Sequence, residues 1–190
     1  MSAMSESSGF WDFSIRVYGQ PGVADACLAL QDQHGLDVNL LLYCCWIGAS
    51  RGAIRESDLK SAFEFSATWS ANVVRPLREV RSWMKTAGRQ SECIPRADSM
   101  EVRAEVKATE LAAERLQQIG LESLSEPAPE RPLAADEQLE AAVFNLTCYL
   151  TLMNLNRGQA SSDDLATVVT AAIPDSSYDT VVLALTTAAQ

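Results

Sequence analysis

Histidine is almost absent from this sequence of 190 residues, which contains only His34. No H-E-x-x-H or H-x-x-E-H motif occurs, so the usual helical zinc sites are excluded. No G-x-S-x-G element and no glycine-rich phosphate-binding loop occurs either. The sequence therefore predicts no metal and no cofactor, and it offers no catalytic set.

Paired cysteine spacings are also missing, although there are five cysteines. Cys44 and Cys45 are adjacent in an apolar run, without the electropositive surroundings that activate a thiolate, which favours core packing. Cys27 and Cys148 also lie in apolar helical patterns, and this indicates reduced thiols inside a cell. The fifth cysteine is Cys93.

Targeting and membrane-spanning signals are likewise lacking. The first nine residues are polar and acidic, unlike a secretory peptide. The longest apolar run is about half of the ~20 residues that cross a bilayer. We therefore expect a soluble, cytoplasmic protein with no membrane span.

Basic residues are scarce outside the middle of the chain. The net charge is -10, of which residues 1–50 contribute -4, residues 51–120 contribute +2 and residues 121–190 contribute -8. Such an acidic chain gains little from the phosphate attraction that drives nucleic-acid binding. The charge thus predicts no nucleic-acid partner.

The chain is organised around Asp37–Gly48, where eight consecutive apolar residues occupy positions 40–47. A helix that is apolar on every side must be covered on every side. Period-2 alternation and hairpin signals are absent. We therefore predict an all-α, single-domain bundle of about seven or eight helices around a central apolar helix, 38–49.

Domain boundaries follow from composition. Residues 1–8 should be a disordered N-terminus, residues 9–124 a helical core, and residues 125–134, with three prolines, a linker. Residues 135–174 should form a C-terminal helical pair that packs on the core, and the tail 175–190 is ambiguous. Gly35 is a C-terminal stop for the second helix, and Asp37 is an N-cap for the next.

Two helices carry more specific expectations. Around Trp69 to Asn72 the fourth helix should kink or restart, with Pro76 in the first turn of its successor. A charged helix over 99–124 should have a narrow core contact, because its apolar residues are thinly spaced. Its apolar residues are Met100, Val106, Leu111 and Leu116. Glu110 and Glu114, on the same helix, are interpreted as ordinary surface charges.

Three early stretches carry a resemblance: Phe10-Trp11-Asp12-Phe13-Ser14 with Tyr18, the run from Pro21 to Asp32, and the run from Gly35 to Leu42 through Cys45-Trp46. They resemble the start of a proteobacterial family of small proteins classed as a domain of unknown function. Val73 to Arg78 and Val106 to Leu111 are similar to its later blocks, so the resemblance covers about residues 9–156. It implies a bacterial cytoplasmic protein and adds no catalytic residue.

A small polar pocket is one interpretation of Asp37 and Asn39, at the polar end of the central helix. Helix capping and local bonds are the other, because a lone buried polar group costs about 1–3 kcal/mol. His34 has a similar alternative, since a histidine near a helix C-terminus is favoured by the helix dipole. The expected neighbours in a pocket between the first three helices are Trp11, Tyr18, Asp32 and His34.

A basic strip recurs at helical spacing: Arg75, Arg78, Arg81 and Lys85. It is either a solvated face or a docking surface for an acidic partner or for the acidic C-terminal segment. The leading functional hypothesis is a non-enzymatic interaction or regulatory protein that binds a protein partner through this strip and the charged helix 99–124. The alternative is a small-molecule-binding protein or enzyme that uses the pocket. A third possibility is a homo-oligomer formed through the amphipathic helix 136–154.

Overall fold

The computed structural model describes residues 9–87, 94–155 and 160–187. Within these ranges the chain contains helices and no strand. A π-helical segment, Ser70–Val74, joins α4 to α5 without a break, so the two form one continuous helix and the bundle has eight helices in the described part. The predicted all-α bundle is confirmed. The helices are α1 (Phe10–Tyr18), α2 (Val23–His34), α3 (Val38–Ser50), α4 (Glu56–Trp69), α5 (Arg75–Ala87), α6 (Arg96–Ser123), α7 (Ala135–Leu152), α8 (Ser162–Ala172) and α9 (Tyr178–Thr187).

The central apolar helix is α3, which packs against α1, α2, α4, α6, α7 and α8. Every residue from Leu40 to Gly48 is buried. As predicted, Asp37 is the N-cap: its Oδ1 accepts from the backbone N–H of Asn39 at 2.9 Å and of Leu40 at 3.4 Å. Gly35, with φ +67°, ends α2 in the left-handed conformation that glycine adopts without strain.

The closest helix pair is α3 with α7. A Cβ built on Gly48 would lie 2.4 Å from the backbone nitrogen of Ala142, so only glycine permits this approach. Beside it the buried Asn145 accepts from the Ile54 N–H at 2.8 Å and donates to the carbonyls of Gly52 at 3.1 Å and Cys44 at 3.2 Å. One amide thereby closes the C-terminal end of α3 against the turn that follows it.

The apolar residues that the sequence singles out on α6 do not form its buried face. Leu111 and Leu116 are each 55% exposed and Met100 is 45% exposed, while Val106 is half-buried. The buried face instead carries Glu110, Ala113, Gln117, Gln118 and Leu121. Its polar members are bonded by other helices, so hydrophobicity does not decide which face turns inward.

Two uncertain segments are defined by the structure. Pro76 starts no new helix, because the π segment carries the chain from α4 directly into α5. In the ambiguous tail, residues 178–187 form α9, which packs on α8 and α7. The predicted disordered residues 1–8 and the thiol of Cys93 lie outside the described residues.

Candidate functional site

A cavity of about 950 Å³ lies beside the N-terminal end of α3. Residues of α1 to α7 and the π segment surround it. Its walls are largely apolar and include Trp11, Tyr18, Phe63, Val74 and Met153. The cavity opens to solvent where its lining side chains are exposed, and three of these form an apolar mouth: Ile15, Leu28 and Leu111, at 56%, 46% and 55% exposure.

Five polar residues that line the cavity form a hydrogen-bonded polar cluster: Asp37, Asn39, Ser66, Gln117 and Gln118. Asp37 lies at its centre, because its Oδ2 accepts from Ser66 Oγ and from Gln117 Nε2, both at 2.8 Å. With the two capping bonds to Oδ1, the carboxylate accepts four hydrogen bonds. Gln117 Nε2 also donates to Ser66 Oγ at 2.7 Å, so the three side chains form a closed triangle.

Three amides continue the cluster in a row. Gln117 Oε1 accepts from Asn39 Nδ2 at 2.9 Å, and Asn39 Oδ1 accepts from Gln118 Nε2 at 2.7 Å. The row ends at Gln118 Oε1, which is buried and has no hydrogen-bond partner in the described part of the protein. Ser14 Oγ is in the same condition. Ser14 and Gln118 are each only 4% exposed, so two residues of the lining each have a buried polar atom with unused bonding capacity.

Tyr149 of α7 supports the cluster from behind. Its hydroxyl accepts from the Asp37 backbone N–H at 2.8 Å. Burial, reinforced by the nearby Asp37 carboxylate, raises the pKa of Tyr149, so the phenol stays protonated at neutral pH. A neutral hydroxyl therefore joins α7 to the residue that begins α3.

An ion-pair cluster forms a further part of the site, on α5 and α6. Arg78 donates to Glu110 at 3.1 Å, to Glu114 at 2.8 Å and to Gln31 at 2.5 Å, and Arg81 forms two bonds to Glu110. Burial acts to raise the pKa of Glu110, but the hydrogen bonds from the two arginines outweigh it, and the pKa lies below its ordinary value. Burial raises the pKa of Glu114, against the opposing effect of Arg78. Glu110 is therefore not the surface charge expected from the sequence.

The structure brings four of the six predicted pocket residues to the cavity: Trp11, Tyr18, Asp37 and Asn39. The guanidinium of Arg115 lies over the Trp11 ring, 5.5 Å from its centroid. Asp32 is exposed and His34 is half-buried at the end of α2, and neither lines the cavity. The polar end of α3 thus faces α4 and α6 rather than the end of α2.

The basic strip is divided between two environments. Arg78 and Arg81 are engaged by α6, whereas Arg75 and Lys85 are exposed. Arg75 also lines the cavity. A partner-binding role for the four residues stays a prediction, and the exposed pair is the part that a partner reaches directly.

The remaining sequence candidates lie in the core or form no cluster. Cys27, Cys44 and Cys45 are buried, and burial raises the pKa of Cys44 and Cys45, so both thiols stay protonated. Among residues 9–87, 94–155 and 160–187, no group of three His, Cys, Asp or Glu is placed to hold a metal ion. None of the helices in these ranges is both long and apolar enough to cross a membrane.

Sequence reasoning missed Ser14, Ser66, Gln117, Gln118 and Tyr149. Ser66 is separated from Asp37 by 29 positions, and Gln117 by 80. The available signal was weak: Gln117 shares a helical face with Ala113 and Leu121, two small or apolar residues at spacings of four. A polar residue on such a face is a candidate for a buried bonding partner.

Comparison with known proteins gives one match, to the family described as "Protein of unknown function (DUF2390)", over residues 9–121. This range is more than half of the chain and ends near the end of α6, so α7, which covers α3, lies beyond it. No curated protein and no solved structure matches the chain.

Proposed function

The chain belongs to the DUF2390 family of proteins of unknown function, and we propose that it binds a small organic molecule in the cavity beside α3. The observation that carries this proposal is that two of the four buried side-chain atoms without a hydrogen-bond partner among the described residues, Ser14 Oγ and Gln118 Oε1, belong to residues of the cavity lining. Buried polar groups are nearly always bonded, and a group left without a partner calls for an explanation. A bound ligand supplies the missing partners.

The size and lining of the cavity support the same function. Ligand pockets usually measure about 300–1,000 Å³ and combine apolar walls with a few polar groups that fix orientation. The cavity of about 950 Å³ has this composition, with aromatic walls and one polar cluster. A single water occupies only about 30 Å³, so one ordered water does not fill it.

Binding is better supported than catalysis. A carboxylate has about four acceptor positions, and Asp37 uses four for the hydrogen bonds described above. It therefore has little capacity to remove a proton from a substrate. His34 does not line the cavity, and of the two glutamates that do, Glu79 is exposed and Glu114 is engaged by Arg78.

Co-purification tests the proposal. The protein is isolated under native conditions, denatured, and the released small molecules are identified by mass spectrometry. We expect one compound in near-stoichiometric amount that raises the melting temperature when it is added back. Release of no compound, together with no stabilisation by a metabolite library, would contradict the proposal.

Matched variants on α6 locate the binding. Leu111 and Leu116 are equally exposed, at 55%, but only Leu111 lines the cavity. We expect Leu111→Glu to abolish co-purification of the compound and Leu116→Glu to retain it. An equal effect of the two substitutions would place the compound elsewhere.

A protein partner is the second candidate function, and the exposure of Arg75 and Lys85 favours it, together with half-exposed Leu116 and Ile119 on α6. The double variant Arg75→Glu and Lys85→Glu should abolish a salt-sensitive complex recovered from a bacterial lysate. A complex that survives this reversal would exclude the strip as its binding surface.

A further inference from the structure

The polar cluster has a fixed hydrogen-bond direction, and the direction originates at Asp37. An ionised carboxylate accepts and never donates, whereas an amide side chain offers an acceptor at one atom and donors at the other. The amide of Gln117 must therefore turn its nitrogen toward Asp37, as it does at 2.8 Å. This leaves Gln117 Oε1 as the atom that faces Asn39.

The same constraint passes along the row of amides. Because Gln117 presents an oxygen, Asn39 must present Nδ2 to it, which turns Asn39 Oδ1 toward Gln118. Gln118 in turn must use Nε2 for that bond. Its Oε1 is left as the terminal atom, which is buried and has no partner among the described residues, and Gln118 is one of the residues that line the cavity.

The hydroxyl of Ser66 fits the same hydrogen-bond direction. Its hydroxyl donates to Asp37 Oδ2 at 2.8 Å and accepts from Gln117 Nε2 at 2.7 Å. A hydroxyl both donates and accepts, so it fits the cluster in this direction and would fit it in the reverse one. The carboxylate alone therefore determines which atom of Gln118 a ligand meets.

The exposed lining of the cavity has a polar part, formed by Arg75, Glu79 and Ser82 of α5, and an apolar part at the mouth. Ile15 of α1, Leu28 of α2 and Leu111 of α6 are about half exposed and apolar. The buried lining combines apolar residues such as Leu36, Leu40 and Val74 with four polar ones, which are Ser14, Ser66, Gln117 and Gln118. The arrangement suits a molecule whose polar head is inserted and whose apolar chain remains against the mouth.

We propose that the ligand is an amphipathic molecule with a hydrogen-bond-donating head, such as a hydroxyl, which donates to Gln118 Oε1 while its aliphatic chain lies against Ile15, Leu28 and Leu111. This inference rests on the proposed function and specifies the ligand class. Asp37 is a positioning residue for this selectivity, since it acts through the amides and its four acceptor positions are already used.

Two isomeric probes test the head group: 1-octanol, which donates and accepts, and heptyl methyl ether, which only accepts. Binding is followed by NMR through the side-chain amide resonances of Gln118 in the full chain. We expect the alcohol to bind about tenfold more tightly than the ether, because one buried hydrogen bond separates them. Equal affinities would overturn the assigned head polarity.

Asp37→Asn tests the origin of that polarity. The backbone N–H groups of Asn39 and Leu40 still require an oxygen, so the new amide nitrogen replaces Oδ2 and donates to Ser66 and Gln117. Every amide in the row then reverses, and Gln118 presents Nε2 to the cavity. Both probes can accept a hydrogen bond from Nε2. The ratio of the alcohol affinity to the ether affinity should therefore fall from about tenfold to about one, with a shifted Gln118 resonance. An unchanged ratio in the folded variant would overturn the proposal.

Gln118→Met keeps the test decisive if Asp37→Asn does not fold. Binding to this variant is followed through the side-chain amide resonances of Asn39, the neighbour of Gln118 in the row. The substitution removes the terminal acceptor and should also equalise the two probes, whereas retained preference for the alcohol would show that another atom selects the head. Binding of neither probe to the wild type would overturn the ligand class proposed here. In that case a compound recovered by co-purification would still support the proposed function, so the two failures are distinguishable.

Discussion

The two ends of α3 differ in how their buried polar side chains are hydrogen-bonded. At the C-terminal end, Gly48 lies against the backbone of Ala142, and Asn145 uses all three of its bonds on neighbouring backbone groups. At the N-terminal end, Asp37 and Asn39 are also bonded, yet the row of amides that they hold ends at an unpartnered atom beside a cavity. At the first end the backbones approach closely and both polar atoms of the amide have partners, whereas at the second end a cavity lies beside an amide whose oxygen has no partner among the described residues.

The two ends thus contain two kinds of buried amide, one that is fully bonded within the protein and one that is not. Asn145 and Gln118 are both buried amides on helices that cover α3. Asn145 is satisfied within the protein and needs no explanation beyond the fold. Gln118 donates one bond to Asn39, but its oxygen has no partner in the part of the chain that the structure describes, and the proposed ligand would supply one.

The largest expected effect is at the packed end. Gly48→Ala would place a methyl group 2.4 Å from the Ala142 backbone, and we expect the free energy of unfolding in urea to fall by about 3 kcal/mol. Gly120→Ala is the matched control, because its nearest atom, at 2.3 Å, is the tip of the Phe65 ring, which can turn away. Equal losses for the two variants would mean that the α3–α7 approach is not rigid.

A smaller loss is expected when the satisfied amide is removed. Asn145→Ala leaves the Ile54 N–H and the carbonyls of Gly52 and Cys44 without their partner, so stability should fall by about 2 kcal/mol. Asn72, an exposed amide bonded only to the Thr68 carbonyl, is the control, and its alanine variant should lose under about 0.5 kcal/mol. Denaturation curves for both proteins measure this difference.

The ion-pair cluster should produce a pH-dependent effect. Although burial acts to raise the pKa of Glu110, Arg81 and Arg78 hold that pKa below its ordinary value. The contribution of ionised Glu110 to the free energy of unfolding is therefore complete at pH values above the ordinary pKa of glutamate, and it is lost as pH falls through the lowered pKa. Glu110→Gln should cost about 1 kcal/mol at pH 7 and progressively less below about pH 4.

Glu114 is a control for Glu110, because its pKa is shifted in the opposite direction. Burial raises its pKa, so its contribution favours the folded state at low pH and is lost as pH rises through the raised value. Glu114→Gln should leave stability at pH 7 unchanged or slightly higher. Thermal melts between pH 3 and pH 7 would contradict this account if the two variants showed the same pH dependence.

The smallest expected effect concerns the unpartnered amide itself. Gln118→Met removes one bond to Asn39 but also removes a buried acceptor that has no partner, so stability should change by only about 0.5 kcal/mol. Gln117→Met, which loses bonds to Asp37, Ser66 and Asn39, should cost about 2 kcal/mol. A large loss at Gln118 would indicate that its end of the row is structural and would weaken the comparison between the two ends of α3.

Helices with a simple hydrophobic pattern were predictable from the sequence. The run of apolar residues fixed α3 as the buried centre, and Gly35 and Asp37 marked the helix boundaries on either side. The regular apolar spacing of α7 identified it as an amphipathic helix. These signals are local, so they do not depend on knowledge of the tertiary contacts.

The orientation of α6 and half of the site could not be predicted in this way. Leu111 and Leu116 suggested one inward face, but bonds to Glu110 and Gln117 from α3, α4 and α5 determine another. Asp37 and Asn39 were identified as pocket candidates because they are polar residues at the end of an apolar helix. Their partners are far away in the sequence, and no spacing rule connects them.

The π segment has a consequence for the phase of the helix that contains it. A π turn amounts to one extra residue in an α-helix, and each residue advances the helix by about 100°. Residues before Ser70 and after Val74 therefore belong to two angular registers, one presenting Ser66 to Asp37 and the other presenting Arg78 to Glu110 and Glu114. Deletion of one residue within 70–74 would merge the registers and turn one of these two groups away from its partner.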